Sequence, residues 1–149
     1  MRDKFGWYDS HKKQVASLRH SDASVLLIGD SIIAGLQRYR NVWRNYFKHQ
    51  YESLNFGIGG DKVQDVLWRI NDLSLPKSLK YAVVQAGTNN LDQDNPKDIA
   101  NGIIASALAF SKKSKNLKVV MTGLLPRGLE WNWKRSKIQE VNKYLNIKC

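Results

Sequence analysis

Cysteine is nearly missing from this sequence of 149 residues: the only one, Cys149, is the last residue. A disulfide framework and a cysteine-rich metal site are therefore excluded within it. No stretch approaches the roughly 20 consecutive apolar residues that cross a bilayer as a helix. The first ten residues, MRDKFGWYDS, hold no apolar segment of the secretory type. Together these absences predict a cytoplasmic protein of a reducing compartment. Histidine is scarce too. His11, His20 and His49 are scattered and read as ordinary surface residues. With no ligand cluster in the sequence, neither a metal nor another cofactor is expected.

What remains is the composition of a globular chain, with 42% hydrophobic and 25% charged residues. The length predicts one domain over 1–149, able to bury roughly 70% of its unfolded surface. Net charge is +11 and uneven. Ten Lys/Arg stand against two acids from Lys112 to Cys149, and fourteen against eleven in the first 111 residues. A basic last quarter of this kind can attract phosphates, although its residues are dispersed and suit a solvated surface as well.

Short apolar runs alternate with longer amphipathic ones. Val25–Ile28, Tyr51–Phe56, Tyr81–Ala86 and Leu117–Thr122 are rich in β-branched or aromatic residues, and each is closed by a glycine. Helical spacing of apolar residues occupies Asp61–Leu73, Pro96–Ser111 and Asn132–Leu145. This alternation predicts a parallel α/β sheet, and ligands of such sheets gather at the carboxyl ends of the strands. Three polar clusters fall there: Gly29-Asp30-Ser31, Gly57-Ile58-Gly59-Gly60-Asp61 and Gly87-Thr88-Asn89-Asn90.

Their chemistry is coherent. A serine between a strand and a short helix, for which Ile32, Ile33 and Leu36 are suited, sits exposed at the rim of the sheet. Acyl transfer also needs donors aimed at the developing oxyanion. Gly60 can offer a backbone N–H and Asn89 a side-chain amide. Each motif alone is weak; their order along successive strand ends is not.

The segments GDSI, NFGIGGDKVQDVLWRI, VVQAGTNN and GLLPRG followed by KRSKIQEVNKYL resemble the SGNH (GDSL-like) hydrolases, nearest to the intracellular platelet-activating-factor acetylhydrolase branch. The resemblance runs from Val25 to Leu145. It implies a three-layer α/β sandwich with a flavodoxin-like sheet and a cofactor-free esterase acting on a small acyl-ester substrate. By resemblance Ser31 is the nucleophile, Gly60 and Asn89 form the oxyanion hole, and Asp30 positions the loop. The family continues into another strand and an Asp-x-x-His motif that supplies the general base. No Asp-x-x-His occurs in this sequence. The expectation is therefore a sheet lacking its last strand and helix, and a feeble esterase. The fourth strand would be an uncovered edge, open to a second copy of the chain or another partner.

Other residues have candidate roles. Arg127 and Trp131 flank the expected acyl pocket and could bind substrate, although an arginine bonding loop carbonyls is the plainer reading for Arg127. Trp43 and Trp68 suit packing. Lys112, Lys113 and Lys115 read as solvating charges. A rival reading is a catalytically silent module that binds nucleic acid through Lys134, Arg135 and Lys137, with Trp131 and Trp133 stacking on bases.

Overall fold

The computed structural model describes residues 6–148. Strands β1 (Val25–Gly29), β2 (Ser53–Gly57), β3 (Tyr81–Gln85) and β4 (Lys118–Met121) form one parallel sheet in the order β2-β1-β3-β4. With β1 central, this is the flavodoxin-like order. In register, Leu26 lies beside Leu54 and Ala82, and Ile28 beside Phe56 and Val84. This row of alternate residues builds one apolar face.

Five helices frame the sheet: α1 (Trp7–Arg19), α2 (Ser31–Gly35), α3 (Val63–Asp72), α4 (Pro96–Lys113) and α5 (Trp133–Lys148). The apolar face meets Leu18 of α1, Val66 and Ile70 of α3, Ile99, Ile103 and Phe110 of α4, and Ile138, Val141 and Leu145 of α5. Within α3, α4 and α5 these residues recur every three to seven positions, so each helix turns one stripe to the sheet. Each such side chain contributes about 1.5–3 kcal/mol on burial. Helix ends are fixed by specific bonds. Asn95 Oδ1 accepts from Asp98 N (2.9 Å) ahead of Pro96 at the start of α4, and Asp65 accepts from Lys62 N (2.9 Å) at the start of α3. Lys113 does more than solvate: its Nζ donates to Asn71 O (2.9 Å) and Leu73 O (2.8 Å), so it satisfies free carbonyls at the end of α3.

The opposite face is covered only in part. There α2 lies on β2, where Asn55 Nδ2 donates to Ile33 O (2.6 Å). Gly57 is required by this approach, since a methyl group on it would lie 2.0 Å from Ala34 N. The chain then runs from Leu36 to Tyr51 in helical turns, broken at Tyr39, whose ψ is 69°. It passes through a 3-10 turn (Leu36–Arg38), an α turn (Arg40–Val42), a π segment (Trp43–Lys48) and a last α turn (His49–Tyr51). Trp43 stacks on Phe47 at 5.4 Å. Over β3 and β4 no described helix covers this face, and Tyr81 and Val120 are exposed. The sandwich therefore has two full layers and a third that reaches only β1 and β2. Among the described residues β4 is an open edge of the sheet.

Candidate functional site

Four loops meet above the carboxyl ends of the strands. The first carries Asp30, buried, whose Oδ1 accepts from Ile32 N (2.8 Å) and so caps α2. Ser31 follows as the first residue of α2 and is exposed.

In the second loop Ile58 N donates to Gly29 O (3.0 Å) and Asp61 N to Ile58 O (3.2 Å). These bonds draw the turn over β1. Gly60 has φ +78°, a left-handed conformation that glycine adopts without strain. A methyl group on Gly59 would lie 4.0 Å from Ser31 Cβ, so the turn stands against the serine.

The third loop is a 3-10 turn, Thr88–Asn90. Asn89 Nδ2 donates to Asp61 O (2.9 Å), which uses one of its two amide protons. Asn90 is the structural member of the pair. It is buried, accepts from Val63 N (3.0 Å), and donates to Gln64 Oε1 (2.9 Å) and Asp94 Oδ2 (2.7 Å).

The fourth loop follows β4 and is pinned by Asn142, which accepts from Leu124 N (2.7 Å) and donates to Leu124 O (2.9 Å). Arg127 Nη1 donates to Thr88 O (3.1 Å), the carbonyl-bonding role read from sequence.

Ser31, Ile32, Thr88, Asn89, Leu125, Pro126 and Arg127 line one open cavity of about 240 Å³. Its lining mixes polar Ser31, Thr88, Asn89 and Arg127 with apolar Ile32, Leu125 and Pro126, and its size suits a short acyl group rather than a long chain. Larger hollows exist, but one lies beside Leu75–Leu79 and Leu117, near the starts of β3 and β4, and carries no such chemistry.

Trp131 is exposed and does not line the cavity. Trp133 is exposed too, with Lys134 and Lys137 Nζ over its ring at 5.2 and 5.9 Å. The cations of the nucleic-acid reading are held by the protein itself. Lys134 pairs with Asp92 (2.8 Å), Lys137 donates to Leu91 O (2.6 Å), and Arg135 bonds Gly128 O (2.5 Å). Lys134 in turn holds the Asp92 carboxyl below its ordinary value.

One group of residues escaped the sequence reading. Arg69 of α3 is fully buried beneath the loops. Its Nη1 donates to Asp61 Oδ2 (2.6 Å), and its Nη2 donates to Gln14 Oε1 (2.6 Å) and Phe56 O (2.5 Å). Trp7 Nε1 donates to Asp61 Oδ1 (2.7 Å). Asp61 thus receives Arg69 and Trp7 on its carboxylate and Asn89 on its carbonyl, which ties α1 and α3 to the candidate donors. Burial pushes the Asp61 carboxyl up against the pull of Arg69, and lowers the Arg69 guanidinium. The sequence did hold a signal: Arg69 stands on the apolar stripe of α3, next to Ile70 and three residues after Val66. Asp30 is pushed up to about 6, mainly by burial and further by Asp61, with the Ile32 N–H and Arg127 opposing.

His11 also corrects the sequence reading. It is buried, not on the surface, with Nε2 2.9 Å from Asp72 Oδ2 and its ring against Trp68. It lies with α1 on the face of the sheet opposite α2. His20 and His49 are exposed, just before β1 and β2, at the other end of the strands from Ser31. Among the described residues no cluster of His, Cys, Asp or Glu is arranged to hold a metal ion. No described helix is long and apolar enough to cross a membrane.

Known proteins carry the same framework. The profile of the GDSL-like Lipase/Acylhydrolase family matches residues 27–147. Human platelet-activating factor acetylhydrolase IB subunit alpha2 is 35% identical over 142 residues, which cover 95% of this chain and 61% of that protein. The chain therefore spans about three fifths of the length of that relative. Among solved structures, a GDSL-like lipase from Bacteroides thetaiotaomicron superposes with a TM-score of 0.68 at 25% identity, covering 97% of this chain and 72% of that one. A member of the lipolytic G-D-S-L family from Veillonella parvula gives a TM-score of 0.68 at 17% identity over 83% and 70% of the two chains, a likeness of fold. With Ser31, Gly60 and Asn89 on three successive strand ends of a flavodoxin-like sheet, the chain belongs to the GDSL-like lipase/acylhydrolase family.

Proposed function

We propose that this chain is an SGNH-type esterase domain that cleaves a small acyl ester, with Ser31 as nucleophile. The observation that carries this reading is the cavity in which Ser31, Asn89 and Arg127 meet. Ser31 Oγ attacks the ester carbonyl carbon, and the carbonyl oxygen becomes an oxyanion. The second Asn89 amide proton and the Gly60 N–H stabilise that charge. The alkoxide leaves, and water then releases the acyl group from Ser31. Asp30 holds the first turn of α2, and with it the serine. Arg127 and the apolar residues Leu125 and Pro126 contact the acyl or leaving group.

The hydroxyl proton needs an acceptor, but His20 and His49 stand at the other end of the strands from Ser31 and His11 lies on the opposite face of the sheet. Loss of general-base assistance costs about 10²–10⁴ in rate. The chain by itself should therefore be a slow esterase unless a base reaches Ser31 from outside the described residues.

Turnover of p-nitrophenyl acetate, compared between the natural chain, Ser31→Ala and Asn89→Ala, tests this. Slow hydrolysis abolished by Ser31→Ala and cut about 10²–10³-fold by Asn89→Ala is expected. Equal rates in the natural and Ser31→Ala chains would remove Ser31 as nucleophile. Fast, Ser31-dependent turnover would show that a base does reach it.

A further inference from the structure

Of the candidate oxyanion donors, Gly60 offers a backbone N–H and Asn89 a side chain. The terminal torsion of asparagine is broad, so rotamer preference alone leaves the amide plane free to turn. What fixes that plane is the bond from Asn89 Nδ2 to Asp61 O (2.9 Å). With one amide proton held there, the direction of the other is set too, at the cavity that Asn89 lines with Ser31. Donors of this kind stabilise an oxyanion because they are aimed before the charge develops.

The Asp61 carbonyl is only as steady as Asp61 itself. That residue lies in a loop, between Gly60 in the left-handed region (φ +78°) and an extended Lys62 (φ −94°, ψ 169°). Its side chain anchors it. Oδ1 accepts from Trp7 Nε1 (2.7 Å) and Oδ2 from Arg69 Nη1 (2.6 Å), and all three side chains are buried. Bonds to an ionised carboxylate are the stronger kind. The indole is set in turn against Trp68 and His11, with ring centroids 5.5 and 6.1 Å away. A relay therefore runs from Trp7, the first residue of α1, through Asp61 to the Asn89 amide.

We propose that Trp7 and Asp61 are positioning residues for Asn89, aiming its amide at the ester oxygen without touching the substrate. The role rests on the reading of Asn89 as an oxyanion donor, so the first readout is chosen not to depend on catalysis. It is the side-chain amide of Asn89 in a proton–nitrogen NMR spectrum of the full chain, identified by its loss in Asn89→Ala. Trp7→Phe keeps a ring against Trp68 and removes the N–H. It should shift the Asn89 amide signals and speed exchange with water, about tenfold for the proton bonded to Asp61 O. The Asn142 amide, bonded to Leu124 O, should not change. Asp61→Asn cannot accept from both Trp7 and Arg69 as the carboxylate does. It should act in the same direction, and it serves as the second variant if Trp7→Phe folds poorly. Leu145→Ala, which loosens the core in the last turn of α5, should leave the Asn89 signals in place.

Kinetics give the second readout. Trp7→Phe should lower kcat for p-nitrophenyl acetate about tenfold, short of the roughly 10²–10³ lost with the donor itself, and leave KM nearly unchanged. In the Asn89→Ala background the same substitution should cost almost nothing, because both act through one amide. An unmoved Asn89 amide in Trp7→Phe, an equal change in Leu145→Ala, or the full kcat loss retained in the Asn89→Ala background would each overturn the proposal. If no chain shows Ser31-dependent turnover, the esterase reading fails and the amide spectrum alone decides the coupling.

Discussion

Arg69→Met should cost about 3–5 kcal/mol of stability, the range for removing one partner of a buried ion pair. The guanidinium is fully buried and is the common neighbour of α1, β2 and the loop after β2, through Gln14, Phe56 O and Asp61. Methionine keeps much of the volume but removes the Arg69 ion pair from the Asp61 carboxylate, to which Trp7 Nε1 still donates. The double variant Arg69→Met/Asp61→Asn also removes the buried Asp61 charge and should recover about half of the loss. Trp7→Phe removes one charge-assisted bond and should cost less, about 1.5–3 kcal/mol. Urea unfolding of the four chains gives the comparison. A loss below about 1 kcal/mol in Arg69→Met would mean that water reaches Asp61 as readily as the arginine does.

The second large effect depends on pH. Asp30 ionises at about 6 in the folded chain against 3.8 for an ordinary aspartate, chiefly because it is buried. The folded state therefore holds this proton more tightly than the unfolded state does. Its contribution is most favourable below pH 3.8, declines as pH rises to about 6, and stays at the lower level above that. The decline amounts to about 3 kcal/mol for a shift of about two units. In Asp30→Asn the side chain is neutral at every pH, and its amide oxygen could still accept from Ile32 N. The substitution should therefore flatten the fall in stability between about pH 4 and pH 7. Unfolding free energies of both chains, measured across that window, report the difference. Parallel profiles would mean that Asp30 ionises normally. The absolute stability of the variant is a poorer readout, because the Asp30 Oδ2 position has no bonding partner among the described residues.

Much of this fold was legible in the sequence because local signals and burial agree. Val25–Ile28 and Tyr81–Ala86 read as strands, since β1 and β3 lie inside the sheet and are apolar where it matters. The second strand starts two residues later than the pattern suggested. Tyr51 ends the preceding helical stretch, and Glu52 turns the chain at φ 45°. Helix α1 gave no clear signal. Its buried side consists of Trp7, His11 and Leu18, and its key contact to the loops comes from Gln14, so half of its interface is polar. Arg69 was passed over for a related reason. A charged side chain in an amphipathic helix reads as solvated, and its acceptors on β2 and α1 are distant in sequence. Ser31 and Asn89 were placed at one cavity by strand-end motifs alone. Trp131 was not, because nothing local in GLEWNWKRS fixes which way the loop after β4 turns.

The uncovered face of β3 and β4 has a practical consequence for spectroscopy. Dyes that brighten on apolar surface are commonly taken to report loosened packing. On this chain such a dye should already fluoresce in the native state, bound over Tyr81, Val83 and Val120. A dye-monitored melt would then start from a high baseline and show a muted rise. Read by itself, it would assign a molten character to a sheet whose other face is fully packed. Val120→Lys places a charge on a side chain that is already exposed. It should dim the native signal while leaving the midpoint of a circular-dichroism melt within about 2–4 °C of the original. If the dye signal persists in that variant, its source lies elsewhere on the surface.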